Sequence, residues 1–573
     1  MTRARNTVAA LRAVVLLLGA AAAWLARDGL NSDGIAYLDV SDVYLSGGWP
    51  ASGTGYWSPL YPTLLAIARR IGGTAAHREL GIAQVVNFVV YLLAFGALEL
   101  LICEVRMSCG RLPATKRAAL PDNDVATTAS GSMPNDSAWR VLAYTLFVVV
   151  TVGWIRVWTL TPDMLVAAIM ITVGAITVRL SDGRGGWAAA VALGVLLALG
   201  YFAKAAVFPL AFVILGTLAL ATRRSGGIRQ TIVAATIFLV CALPQIFYVS
   251  ELSRTPTFSD VGRLNYLWFV ADVPGPVSSA LPMPSRLPDP AGTRQTLARL
   301  DPERDAHPAI YDIDEPIPGT LPIWYDAGHW FRGVTAPLRP VALARTVVRH
   351  TRVYLELFGF LIVGGLAAAL AGGSVTRHEI LSLRPSTVLV VPSLAALAMY
   401  ALVLVQPRYV APFVLLAFAG LVPPWATDAL SRRIRVGLAT GAAVSVLPVA
   451  HQIRVDAAYW GGSARMRANV VAALAARGIG PGSRIGFIGE AYDAYWARLA
   501  RVRFVSLVPS TDAERFWEMN AAGRATVLAH MQRSGATAIV AESPALGVDI
   551  DGWVRLPSAG VPRSELIVYS AVR

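Results

Sequence analysis

Eleven largely apolar runs, several of them with almost no charge, punctuate this chain, at residues 8–26, 80–102, 139–158, 163–180, 187–203, 205–221, 230–248, 346–370, 386–405, 409–426 and 434–452. About 20 consecutive apolar residues suffice to cross the roughly 30 Å of bilayer hydrocarbon. With 573 residues, 55% of them hydrophobic and only 15% charged, the chain is too apolar for a soluble enzyme of this length. No small-residue cleavage site follows the first run, so it reads as a retained helix and not as a secretion signal. The expected fold class is a polytopic α-helical membrane protein with about 11 transmembrane helices.

A net charge of +14 would point to nucleic acid in a soluble protein. Here the arginines fall into alternate loops: Arg3 and Arg5, Arg106 to Arg117, Arg179 and Arg184, Arg223 and Arg224, Arg377 and Arg384, and Arg432 to Arg435. Such a bias marks the cytoplasmic face. The N-terminus is therefore expected inside, nucleic acid is not an expected partner, and an odd number of spans carries the C-terminus outside. Cys103, Cys109 and Cys241 lie in or beside runs or on the cytoplasmic side, so no disulfide framework and no metal-ligand spacing is expected.

Between the runs, 27–79 reads as a first external loop whose segment 58–71 is amphipathic and lies along the membrane surface. Residues 104–138 are rich in Pro, Ser and Asn, the composition of a disordered cytoplasmic loop. A second external loop, 249–345, is proline-rich and long enough to imply a function. Beyond the membrane part, 1–452, strands at Arg484–Ile488, Val502–Leu507 and Thr537–Ala541 alternate with helical segments. The expectation for 453–573 is a small extracytoplasmic α/β domain with a largely parallel sheet. Its glycines lack dinucleotide-fingerprint spacing, which leaves an accessory or substrate-guiding role.

The first external loop is the chemically dense stretch. Between Arg27 and Pro62 it carries Asp28, Asp33, Asp39 and Asp42 among Tyr37, Tyr44, Trp49, Tyr56, Trp57 and Tyr61. Carboxylates and rings suit a hydroxyl-rich ligand; they also suit an interfacial aromatic belt. Three short motifs join it. Thr161-Pro162-Asp163 is either a plain helix start or a site acid. The lysine of Gly200-Tyr-Phe-Ala-Lys204 snorkels or serves a ligand. The arginine of Gln406-Pro-Arg-Tyr409 anchors the helix or presents a planar fork to phosphate. The charge-derived topology brings Asp33, Asp163, Lys204 and Arg408 to one outer depth. Two acids and two bases there fit a phosphate-bearing amphiphile beside a hydroxyl nucleophile.

These blocks carry a resemblance. Asp33-Gly-Ile-Ala-Tyr37 and Trp57-Ser-Pro-Leu-Tyr-Pro62, followed by the Asp163, Lys204 and Arg408-Tyr-Val-Ala-Pro412 motifs, resemble the GT-C membrane glycosyltransferases. The nearest branch contains protein O-mannosyltransferases and lipid A aminoarabinose transferases. The resemblance implies an inverting transferase that moves a sugar from a polyprenyl-phosphate donor, as co-substrate, to an acceptor lipid, glycan or protein. It places the enzyme at the outer face of the bacterial plasma membrane. It implies Asp33 as the base, Asp163, Tyr37 and Trp57 toward the acceptor, and Lys204, Arg408 and Tyr409 at the donor phosphate, with no cofactor and no obligatory metal. Gly34 departs from the family's Asp-Glu pair, so Asp28, Asp39 or Asp42 stand as further acids of the site. A lipid transporter or flippase, or a receptor with an outer ligand-binding domain, are the alternatives.

Overall fold

The structure, a computed structural model, describes residues 2–47, 54–109, 137–271, 308, 310–313, 318–331, 334–371, 386–422, 432–461, 463–544, 550–556 and 565–569. Every one of the eleven apolar runs falls on helix. Among the described residues six helices are long and apolar enough to cross a membrane, or seven counting one bent pair, and four shorter ones are predominantly apolar. In chain order they include α1 (Thr2–Leu25), α4 (Ala76–Cys109), α5 (Ser137–Val148, continued by a π-helical turn to Ile155), α6 (Asp163–Ser181), α7 (Gly186–Ala203), α8 (Val207–Thr222) and α9 (Ile228–Ser253). After the long loop come α11 (Pro340–Leu357), α12 (Gly359–Leu370), α13 (Thr387–Val403), α14 (Pro407–Leu421) and α15 (Arg432–Trp460). Helix α6 is the hub: it is buried along most of its length, and α4, α7 and α14 pack around it.

One span departs from expectation. Residues 346–370 read as a single crossing, but α11 and α12 meet at an angle of 56° beside Phe358. The sequence changes character there, from an arginine-bearing amphipathic helix to a wholly apolar one. The loop expected to be disordered, 104–138, lies mostly outside the described residues, although α4 runs on to Cys109.

The segment 27–79, expected to be the first external loop, holds two helices, α2 (Ser32–Leu45) and α3 (Leu60–Gly72). Helix α3 matches the amphipathic segment; α2 was read as loop. Asn31 starts α2 in extended conformation, and Asp33 occupies the first turn, where an acid favours the helix dipole. Gly34 to Ser41 are buried without a break, so α2 shows no polar stripe that would betray a surface helix.

The C-terminal region forms a six-stranded sheet in the order β1-β3-β2-β4-β6-β5. Strands β2 (Arg484–Gly489), β3 (Arg503–Pro509) and β4 (Ala538–Glu542) are the three expected ones and are mutually parallel. The sheet is nevertheless mixed. Strand β1 (Tyr311–Asp312) comes from the long segment 249–345 and runs antiparallel to β3. Strands β6 (Leu566–Tyr569) and β5 (Trp553–Arg555) add an antiparallel edge. One face of the sheet is covered by α18 (Ser510–Glu518) and α19 (Ala521–Arg533), through Phe516, Val527 and Met531. The other face shares one apolar core with the loops: Tyr37, Trp57, Trp268, Trp324 and Phe331 pack into the cluster that holds Phe487 and Phe504.

Candidate active site

Four helix ends meet beneath that shared core. Helix α2 brings Asp33 in its first turn, and α6 begins at Asp163. The chain breaks between α7 and α8 at Lys204, whose backbone is extended. Proline at the first position of α14 places Arg408 in its opening turn, a position where the missing proline N–H costs nothing. The four side chains line one cavity of about 310 Å³.

Within it they form a chain of alternating charge. Lys204 Nζ donates to Asp163 Oδ1 at 2.5 Å. The Arg408 guanidinium lies 3.5 Å from Asp163 Oδ2 through Nε and 3.0 Å from Asp33 Oδ2 through a terminal nitrogen. Asp163 is 3% exposed. A carboxylate so desolvated remains charged only beside cations, and it has two. Gln406 accepts from Arg408 Nε at 2.9 Å. The Tyr409 ring lies 3.4 Å beneath Lys204 Nζ and its hydroxyl accepts from Arg408 at 3.3 Å, so Tyr409 braces both cations.

An aromatic wall closes one side of the cavity. Trp57 meets Tyr37 and Tyr56 edge-on, each at 4.8 Å between ring centroids. Its indole N–H donates to the Trp324 carbonyl at 3.0 Å, which ties the segment 27–79 to the segment 249–345. Tyr37 sits one turn beyond Asp33 on the same helix face. All seven residues singled out in the sequence, Asp33, Tyr37, Trp57, Asp163, Lys204, Arg408 and Tyr409, line this cavity.

The sequence reading passed over Trp324, Tyr400, Gln406 and Phe258, which line it too. Trp324 belongs to a loop without periodicity, and Tyr400 to an apolar helix in which a tyrosine carries no distinct signal. Gly34 has a structural cause: a Cβ there would fall 2.8 Å from Leu160 Cβ and from Leu30 Cδ1, so a glutamate cannot occupy that position without moving α2.

Asp39 and Asp42, named above as further acids of the site, do not line the cavity. They enter a second set of charges on the opposite side of α2. Arg498, in the short helix Tyr495–Leu499 after β2, reaches Asp39 at 2.5 Å, Asp42 at 2.6 Å and Glu79 at 2.9 Å. Arg69 of α3 pairs with Asp42 at 2.7 Å and Glu79 at 3.4 Å, and Arg501 with the same two acids at 2.7 and 3.2 Å. Three arginines thus balance three carboxylates, most of them inaccessible to solvent. Asp39 also accepts from the Thr320 N–H at 2.9 Å and hydroxyl at 3.0 Å, delivered by Gly319 at φ +103°, where a side chain would be strained. Asp28 lies outside the cavity lining as well. Among the described residues no three His, Cys, Asp or Glu side chains are grouped to share a metal ion.

No protein-family model matches the sequence, and no curated protein is matched by it. Solved structures are matched through the fold. ArnT from Cupriavidus metallidurans, crystallised with undecaprenyl phosphate, superposes with a TM-score of 0.51 at 13% identity, over 98% of each chain. An oligosaccharyltransferase from Archaeoglobus fulgidus gives a TM-score of 0.45 at 12% identity, over 92% of this chain and 68% of its own. The chain therefore has the fold of the ArnT structure, a bundle of apolar helices that carries a mixed six-stranded sheet.

Proposed function

We propose that the protein is an inverting glycosyltransferase that moves a sugar from a polyprenyl-phosphate donor to an acceptor hydroxyl at the outer face of the membrane. The observation that carries this reading is the chain Asp33–Arg408–Asp163–Lys204 at the floor of an aromatic-walled cavity. Its fold is that of a protein crystallised with undecaprenyl phosphate.

In this reading Asp33 takes the proton of the acceptor hydroxyl as its oxygen attacks C1 of the sugar from the face opposite the phosphate. The C1–O bond to the donor breaks, and its electron pair stays on the departing phosphate. Lys204 and Arg408 stabilise the charge that accumulates there, which is preorganised electrostatic catalysis. Asp163 holds both cations in place before the donor arrives, so little reorganisation remains for the transition state. Tyr37 and Trp57 cover the apolar faces of the acceptor, and Tyr409 fixes the direction of the two cationic heads.

The decisive experiment is turnover by the purified chain in lipid, supplied with undecaprenyl-phosphate sugars and a membrane extract as acceptor. Release of undecaprenyl phosphate coupled to a new glycoside is expected. Movement of intact donor across the bilayer without glycosidic cleavage would assign the protein to lipid transport instead.

A further inference from the structure

Helix α11 has three faces. Thr346 and His350 are buried, and this side is fixed to α13, with His350 Nδ1 2.8 Å from the Ala401 carbonyl and the Tyr354 hydroxyl donating to that of Leu397 at 2.7 Å. At helical spacing beyond it, Val341, Val348 and Leu355 form an apolar stripe, 66%, 72% and 57% exposed. Next to that stripe, on the same open side, run Arg345, Arg349 and Arg352, all exposed. Arg352 is offset by Glu356 at 3.1 Å, which leaves the basic character concentrated in the first three turns.

The apolar stripe continues past the 56° bend into α12, where Leu361, Leu366 and Leu370 are likewise exposed. An exposed apolar surface that runs from a wholly apolar helix onto one half of an amphipathic helix fits the edge of a bilayer, with hydrocarbon against the valines and headgroups against the arginines. The helix also borders the cavity. Arg349 donates to the Phe269 carbonyl at 3.2 Å, and Phe269 lines the cavity together with Met399, Val403 and Leu404 of the α13 end.

We propose that α11 lies in the plane of the outer membrane surface and that Arg345 and Arg349 hold the phosphate headgroups of anionic phospholipids beside the cavity mouth. The inference rests on the expected outward placement of the cavity end of the chain, and it stands independently of the glycosyl-transfer reading. Each arginine at such a surface is worth on the order of a five-fold preference for anionic lipid.

The test uses the full chain in nanodiscs of equal phosphatidylglycerol and phosphatidylethanolamine, released and weighed by native mass spectrometry. Wild type is expected to retain phosphatidylglycerol in excess, R345Q/R349Q to lose most of that excess, and R345K/R349K to keep most of it. A bimane probe on Val348→Cys should be quenched by brominated lipid, and inorganic phosphate should not displace the bound lipid. Equal retention of the two lipids, an unquenched probe, displacement by free phosphate, or retention of undecaprenyl phosphate in place of phosphatidylglycerol would each overturn the assignment. The quenching measurement requires no arginine variant, so the proposal is tested even if the double variant folds poorly.

Discussion

Arg498 grips the Asp39 carboxylate at 2.5 Å from the side of α2 turned away from the cavity, six residues along the helix from Asp33. Six residues are roughly 240° of rotation. One short helix therefore presents its proposed base to the membrane cavity and its buried acids to a residue more than 450 positions later in the chain.

That linkage predicts a stability effect. Arg498→Met leaves Asp39, Asp42 and Glu79 without their shared cation, and breaking a buried ion pair by removing one partner costs about 3–5 kcal/mol. Thermal unfolding followed by tryptophan fluorescence should record the loss, together with new protease sensitivity in the C-terminal sheet. An unchanged midpoint would mean that the shared apolar core alone docks the sheet.

Acid should act on the same contacts. Burial pushes the Asp42 carboxyl up, but Arg498, Arg69 and Arg501 pull it further down, below its ordinary value. A carboxylate whose folded pKa is depressed stabilises the fold above its unfolded pKa of about 3.9 and loses that contribution as pH falls through the lower folded value. Wild type should therefore lose stability below about pH 4, and Asp42→Asn should be less stable at neutral pH with a shallower acid limb. Parallel acid limbs in the two proteins would place the titration elsewhere.

Asp33→Asn keeps size and removes the proton acceptor. Turnover should fall by about 10²–10⁴-fold, the usual contribution of a general base. The Arg408 contact at 3.0 Å loses its charge as well, so a several-fold weakening of donor binding is expected beside the larger rate effect. Wild-type turnover would remove Asp33 from the mechanism.

The cations are expected to behave unequally. Lys204→Ala and Arg408→Ala should both weaken undecaprenyl-phosphate binding, measured by scintillation proximity on purified protein. Arg408→Lys should recover little, because a point charge cannot span Asp33, Asp163 and a phosphate as a planar fork does. Lys204→Arg should recover little too, since Nζ sits closely between Asp163 and the Tyr409 ring. Unaltered affinity in both alanine variants would make the pair a structural anchor.

Sidedness is checked with single cysteines in a protein freed of its native ones. Arg477→Cys, shortly before β2, should react with an impermeant thiol reagent in intact cells. Arg224→Cys, between α8 and α9, should react only after permeabilisation. The reverse pattern would invert the proposed topology.

What the sequence determined by itself is whatever depends on neighbours within about 20 residues. Hydrocarbon length set the apolar runs, the arginine bias set the sides expected of them, and desolvation made Asp163, Lys204 and Arg408 conspicuous, since an ionisable group at a helix end in a membrane needs a partner. The parallel strands around Phe487 and Val540 were legible for the same reason, as apolar runs bounded by turns. Tertiary structure decided the rest. Helix α2 is buried on all sides, so it had no periodicity to read, and Gly34 is explained only by Leu160 lying against it. Asp39 and Asp42 stood as further acids of the site because Arg498 and Arg501, their counterions, lie so far away in sequence. Trp324 and Tyr311 reach the site and the sheet edge from a loop whose local sequence says nothing of either. Pairings of that kind are chosen by the packing of the whole chain, in which a charge finds its counterion by topology and not by spacing.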